Sequence, residues 1–329
     1  MEVSELLSRY AAGQRKFANV DLSGRNLWGA DLVDIVLEGA NLQGASLTFA
    51  YLTGADFTGA DFTGAVLGGA NLNQACLHAA CLHNADFHGA SLAKADLGDA
   101  NLSLASLLDA NLCEADLRGA NLTRANLNGA CLRSANLREE QRKIVKLTHA
   151  TLRKADLREA NLRHADLSGV DLRGANVQGG NLRGADLAAA DLSYADFKRA
   201  MCADANFYRA QMRGSDLAAA NLERAVLSGA NLSGADLRNA IARDAKFDDA
   251  NLSEAILVAA KLNRADLQRA NLSEADLQEA VLIEAYLART QFRNTDLTAA
   301  NFLRAELSSV DLTGTILSET TMPDGTVQY

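Results

Sequence analysis

Three groups of residues in this sequence could do chemistry. Cys76-Leu77-His78 and Cys81-Leu82-His83, followed by His88, bring two thiols and three imidazoles into one short stretch. Thiolates and imidazoles are the ligands of tetrahedral zinc. The second group is cationic: Arg153, Arg158, Arg163, Arg173, Arg183, Lys198, Arg213, Arg238 and Arg243. A field of like charge attracts an acidic partner. The third is the mixed run Arg138, Glu139, Glu140, Gln141, Arg142 and Lys143, with Lys146 just beyond. There is no nucleophile elbow, no Walker glycine loop and no H-E-x-x-H helix. The residues therefore point away from an enzyme, and no cofactor is expected.

What positions these groups is a period of five. Between Phe17 and Leu317 there are 61 residues whose numbers end in 2 or 7, and 56 of them are Leu or Phe. The exceptions are Arg142, Val177, Cys202, Met212 and Ala242. Two positions earlier, 48 of 61 residues are Ala. The residue between is most often Asp or Asn, so the unit reads A-(D/N)-L-x-x. A straight helix cannot use this pattern, because five residues turn the chain by roughly 140° net and the leucines spiral. On a straight strand, residues five apart face opposite ways. Every Leu is buried only if the chain turns a corner after each unit. Ala and Leu then point inward from a short extended segment, and Asp or Asn points out, able to bond the backbone of the turn. Of 24 Gly, 19 fall at the fifth position, which predicts a positive φ there. Four corners close a coil of twenty residues, and about 15 coils at the strand spacing give roughly 73 Å.

This sequence resembles the pentapeptide-repeat proteins, over about residues 15–320. The ELLSRYAAGQRKFANVDLSG opening and the TTMPDGT close look like cyanobacterial members. The resemblance implies an all-β fold, a right-handed quadrilateral parallel β-helix. Handedness comes from the resemblance and not from the pattern.

Within that fold, residues 1–14 are expected to be a helical cap, with Val3, Leu6, Leu7 and Tyr10 on one side and Gly13 ending it. Residues 321–329 are a tail in which Pro323-Asp324-Gly325 signals a turn. The β-helix of 15–320 is interrupted at 138–149. Glu140 and Arg142 fall in inward slots, where a bare charge is too costly. The segment is expected to bulge out, in one or two helical turns, with the phase resuming at Ala150. It is either a tolerated insertion or a docking protrusion. Cys202 and Ala242 are small, with Phe197, Phe207 and Phe247 beside them, which reads as volume compensation. The Cys and His of residues 76–88 fall on successive sides, so a single metal site is not expected. Thr48, Thr53, Thr58 and Thr63 share one slot and read as regular solenoid.

Charge changes along the chain. Residues 1–117 carry 5 Lys or Arg and 14 Asp or Glu; residues 118–246 carry 21 and 14; residues 247–329 carry 6 and 13. The cations of the middle belt are either balanced by outward Asp or form a docking surface. With a net charge of −9 and few aromatics beside the arginines, nucleic acid is a poor partner. No apolar run is long enough for a membrane span, and MEVSELLSRYAAG has no secretory apolar core. Five Cys give no disulfide framework and fit a reducing, cytoplasmic setting. The leading reading is a rigid non-enzymatic interaction scaffold with an unidentified protein partner, acidic if the belt binds it. The family resemblance also implies a second reading, a DNA-mimic modulator of a type II topoisomerase, which the central basic belt contradicts. A third reading is a purely structural spacer. The oligomeric state is open, with the helical cap leaning towards a monomer.

Overall fold

A computed structural model describes residues 1–139 and 143–328. It divides into two compact units, Met1–Asp166 and Leu167–Tyr329, built on the same plan. In each, parallel backbone bridges join residues twenty apart, as in Asp21↔Asn41 and Asp171↔Asp191. Four pentapeptides thus make one coil. Each pentapeptide bonds the coils on both sides of it: Asn41 N–H donates to Val20 O at 2.9 Å, Leu42 N–H to Asp61 O at 2.7 Å and Gly44 N–H to Thr63 O at 3.0 Å.

The corners follow from the turn chemistry. Ala30 N–H donates to Leu27 O at 3.1 Å, and Gly29 between them has φ +62°. That is the pattern of a type II turn, whose third residue needs positive φ. The expected glycine slot is therefore left-handed, and it is so even where Asp, Glu, Arg or Asn occupies it. The outward Asp or Asn caps the turn: Asp56 Oδ1 accepts from Thr58 N–H at 3.0 Å, and Asp216 Oδ1 from Ala218 N–H at 3.1 Å. Inside, Leu22 through Leu137 and Leu147 through Leu162 line unit 1, and Leu167 through Leu297 line unit 2, all essentially inaccessible. Each Leu so buried is worth about 1.5–3 kcal/mol.

Unit 1 opens with helix α1 (Val3–Ala11). Leu6 is fully buried beneath it, while Val3, Leu7 and Tyr10 are half-buried. Tyr10 Oη donates to Val33 O at 2.8 Å, and the Met1 ammonium to Asp21 O at 2.8 Å, so the helix is tied to the first coils at both ends. Unit 2 ends in a hairpin, at the turn that the sequence signals. Thr321 pairs antiparallel with Val327 around Pro323-Asp324-Gly325. Several inward Ala slots of unit 2 hold Thr instead. Thr290, Thr295 and Thr320 each donate to a Leu carbonyl 23 residues earlier, at 2.7–2.8 Å, which satisfies their buried hydroxyls. Among the described residues no helix is long and apolar enough to cross a membrane.

Candidate functional site

The mixed-charge segment changes the ladder. Asn121↔Lys146, Asn126↔Thr151, Cys131↔Asp156 and Asn136↔Asn161 are 25 residues apart, where the other parallel bridges are 20 apart. One coil of unit 1 therefore holds five extra residues, at the corner after Glu139. The interruption is narrower than expected. Val145 and Leu147 are already fully buried in inward slots, so the phase resumes at Val145 and not at Ala150. The reason is size and polarity: Val145 fits an Ala slot, and the charges before it do not. Glu140, Gln141 and Arg142 lie outside the described residues, so the expected helical turns fall partly there. Arg138 and Lys143 are exposed, Glu139 half-buried, and none of the three is helical.

Lys143 is not free of the coil body. Its side chain rests over Gly119, and its Nζ meets Asp99 Oδ2 at 2.5 Å. Gly119 has φ +71°, and a Cβ there would meet Lys143 Cβ at 3.4 Å. The segment's second limb thus lies down along two earlier coils. Glu139 N–H donates to Arg163 O at 3.1 Å, which puts Arg163 on the coil directly after the segment. The seat at Asp99 and Gly119 was missed in the sequence, because nothing local marks a contact 44 residues away.

The belt cations mostly have carboxylate partners two residues before them or one coil away. Arg158 binds Asp156 bidentately, with Nη2 2.6 Å from Oδ2. The Arg158 hydrogen bond holds the Asp156 carboxyl below its ordinary range. Arg173 pairs with Asp171 at 2.7 Å and with Asp191 at 3.4 Å. Arg183 reaches Asp204 at 3.5 Å, Lys198 reaches Asp216 at 2.8 Å, and Arg238 reaches Asp236 at 2.5 Å. Arg153 donates its backbone N–H to Asn128 Oδ1 at 2.8 Å. Arg163, Arg213 and Arg243 are exposed and have no ion pair among the described residues. The belt is thus a count of charges along the chain more than a bare cationic face. Within unit 2, Arg173 and Arg213 share a side with Ser193 between them, as Lys198 and Arg238 do with Ala218. The unit boundary separates Arg153, Arg158 and Arg163 from the other six.

The Cys and His of residues 76–88 are spread over successive faces. Cys76 Sγ lies 3.1 Å from Thr58 Oγ1 and Cys81 Sγ 3.2 Å from Thr63 Oγ1. His83 Nδ1 is 2.9 Å from Ser103 Oγ. Among the described residues no cluster of three or more His, Cys, Asp or Glu is placed to hold a metal ion. One cysteine expectation is overturned. Cys113 and Cys131 form a disulfide between adjacent coils, with their Cα atoms 5.6 Å apart. Their separation of 18 residues brings a corner position over an outward position of the next coil, a register that the odd total had hidden.

The family model for pentapeptide repeats (8 copies) matches residues 16–78, 80–138, 145–179 and 181–322, leaving the five-residue expansion unmatched. No curated protein matches the chain. Among solved structures, the chain is similar to HetL, a pentapeptide repeat protein involved in heterocyst differentiation regulation in the cyanobacterium Nostoc sp. strain PCC 7120. Identity is 27%, each chain is covered in full, and the TM-score is 0.25. A second Nostoc PCC 7120 pentapeptide repeat protein, alr5209, is 29% identical over 43% of this chain and 83% of its own, with a TM-score of 0.21. QnrB1, a plasmid-mediated fluoroquinolone resistance protein, is 18% identical over 56% of this chain and 87% of its own, with a TM-score of 0.23.

Proposed function

This chain belongs to the pentapeptide-repeat family, and we propose that it is a rigid, non-enzymatic scaffold that binds a protein partner. The finer architecture of the proposal is a right-handed quadrilateral β-helix of about 15 coils, with α1 as its cap. The partner docks at the expanded coil of unit 1, through Arg138, Glu139 and Lys143, with Arg163 beside them. The observation that carries this is the 25-residue coil itself. It departs from the repeat at one corner, and polar groups there are not needed to fill the interior. Loops on rigid supports are where binding residues concentrate. The outer faces of unit 2 offer a second, weaker surface at Arg213 and Arg243. Pairing of Arg158, Arg173, Arg183, Lys198 and Arg238 with Asp supports local charge balance for most of the belt.

The test follows from the register. Deleting residues 140–144 joins Glu139 to Val145 and restores an unbroken pentapeptide phase. The full chain and this deletion are used to capture partners from the source cells, with Arg213→Glu/Arg243→Glu as a third bait. A specific partner kept by the third bait and lost by the deletion supports the reading. A partner lost only by the arginine variant moves the site to unit 2, and equal capture by all three excludes both surfaces. The cytoplasmic setting belongs to the same proposal. Trapping thiols in intact cells tests it, because a Cys113–Cys131 bond found oxidised there argues for another compartment.

A further inference from the structure

Phe is an interior residue in this chain. Nine of its ten Phe occupy the inward slot, and all nine are buried. Phe49 is the exception, 57% exposed. It stands at the left-handed corner of the turn Leu47–Ala50, with φ +57°. Glycine is the default there, and a bulky side chain at positive φ is a backbone outlier. The position thus holds an aromatic ring in water at a conformational cost. Such local strain points towards function when the ring has company.

It does have company. The ring of Trp28, the chain's single Trp, meets the Phe49 ring edge-on, with centroids 6.3 Å apart and planes at 89°. Trp28 is 65% exposed. The Phe49 ring then runs on over Gly69, one coil later, where a Cβ would lie 2.5 Å from Phe49 Cε1. Round the corner stands Tyr51, 56% exposed, and beside Gly69 on the same face is Val66, also exposed. One corner of unit 1 therefore carries aromatic rings from two successive coils, the Phe49 ring reaching over Gly69 of a third. Exposed contiguous apolar surface of this kind marks interaction sites, and Trp and Tyr are the preferred anchors.

The surroundings of the ridge are mostly acidic, and Arg25, in the pentapeptide of Trp28, is already paired with Glu2 at 2.8 Å. From residue 26 to residue 93 there is no Lys or Arg, while Asp31, Asp34, Glu38, Asp56, Asp61 and Asp86 are present. Asp31 pairs with Tyr51 along the ladder, and the Asp34 carboxylate lies over Gly54 in the same coil as Tyr51. None of the six carboxylates is ion-paired among the described residues. Ring faces carry negative quadrupole and attract guanidinium or ammonium groups. We propose that the corner built by Trp28, Phe49 and Tyr51, flanked by Asp31 and Asp34, docks a cationic protein segment. An Arg or Lys of that segment lies on the rings while apolar neighbours cover Val66 and Gly69. This surface is separate from the expanded coil, so either can fail without the other.

The full chain is used to select from a displayed library of random dodecapeptides. Selected peptides are synthesised and titrated against the chain, with Trp28 fluorescence as a direct reporter of the corner. The comparison variants are Phe49→Gly, Asp31→Asn/Asp34→Asn, and the 140–144 deletion. Phe49→Gly puts the favoured residue at a positive-φ corner, so it is expected to melt no lower than the parent chain. Support is peptides rich in Arg or Lys with apolar neighbours that perturb Trp28 and bind Phe49→Gly about ten-fold or more weakly. Binding to the deletion variant should be unchanged. Enrichment of acidic or neutral peptides, equal binding to Phe49→Gly, or no saturable binder overturns the proposal.

Discussion

Phe197 and Phe207 meet edge-to-face beside Cys202, their ring centroids 6.5 Å apart and their planes at 84°. Cys202 lies between them in the inward slots of one coil and is fully buried. The two rings fill the space that a leucine would take at Cys202. Cys202→Leu should therefore overpack the coil and destabilise unit 2 by about 1–3 kcal/mol, whereas Cys202→Ala should cost less. Urea unfolding followed by circular dichroism reads the difference, and a stabilised Leu variant would show that the rings do not fill that space. Burial also pushes the Cys202 thiol up to about 12. It should stay silent to a thiol reagent in the folded chain while Cys76 and Cys81, half-exposed, react.

The left-handed corner makes a paired prediction. Leu104 is exposed at φ +61°, and Gly64 sits at φ +66° with open space where a Cβ would go. A non-glycine residue in this conformation costs about 1–2 kcal/mol. Leu104→Gly should raise stability and Gly64→Ala should lower it, each by about 1 kcal/mol. Because Leu104 is half-exposed and the space at Gly64 is open, the backbone conformation dominates both changes. Changes of the same sign in both variants would refute it.

The Cys113–Cys131 bond closes a short loop between neighbouring coils. A loop of that size contributes about 3 kcal/mol in the chain-entropy picture. Alkylation of the unfolded chain without reductant should modify three of its five cysteines, and with reductant all five. Reductant should also lower the unfolding midpoint of the parent and leave Cys113→Ser unmoved. Five modified cysteines without reductant would mean that the bond does not form.

These particulars show what could be read in the sequence. The inward and outward alternation, the corner and its positive φ were legible because each is fixed within five residues. Leu27, Gly29 and Ala30 suffice to define a turn. The 25-residue coil was half legible: Glu140 and Arg142 announce that something leaves the interior, but only packing decides that Val145 is small and apolar enough to re-enter. Cys113 with Cys131, Lys143 with Asp99, and Trp28 with Phe49 were not legible as contacts. Each depends on where one coil lies on the next and on which rotamer spans the gap. The basic belt was visible as a count and misleading as a surface, because Asp171 beside Arg173 and Asp236 beside Arg238 neutralise it locally.

Those carboxylates also set the acid response. Asp311 is pulled down to about 2 by the Thr313 hydroxyl and by Arg293. Asp156, Asp244 and Asp249 are lowered in the same way, chiefly by Arg158, Arg264 and Arg269. A depressed folded-state pKa stabilises above the unfolded value near 3.9 and loses that contribution as pH falls through the folded value. The chain should therefore hold its urea midpoint down to about pH 4 and lose stability progressively towards about pH 2. Asp311→Asn should flatten the lowest part of that profile. A midpoint that falls mainly between pH 7 and 5 would assign acid sensitivity to groups other than these pairs.

The expanded coil gives the last prediction, and it separates support from function. Removing residues 140–144 takes away the five residues by which this coil exceeds the others, and it sets Val145 directly after Glu139. The loss is the exposed Lys143–Asp99 ion pair, worth about 0–1 kcal/mol. The gain is a shorter connection, whose entropy is smaller but of the same order. The two should nearly cancel, so the deletion should leave unit 1 within about 1 kcal/mol of the parent. Its circular dichroism should be unchanged, and its α1 contacts should be intact by hydrogen exchange at Tyr10. A loss of several kcal/mol would instead make the segment a structural closure of the coil through its seat at Gly119 and Asp99. In that case its polar residues would be explained by folding, and the partner would have to be sought on the aromatic corner at Phe49 or the open cations Arg213 and Arg243.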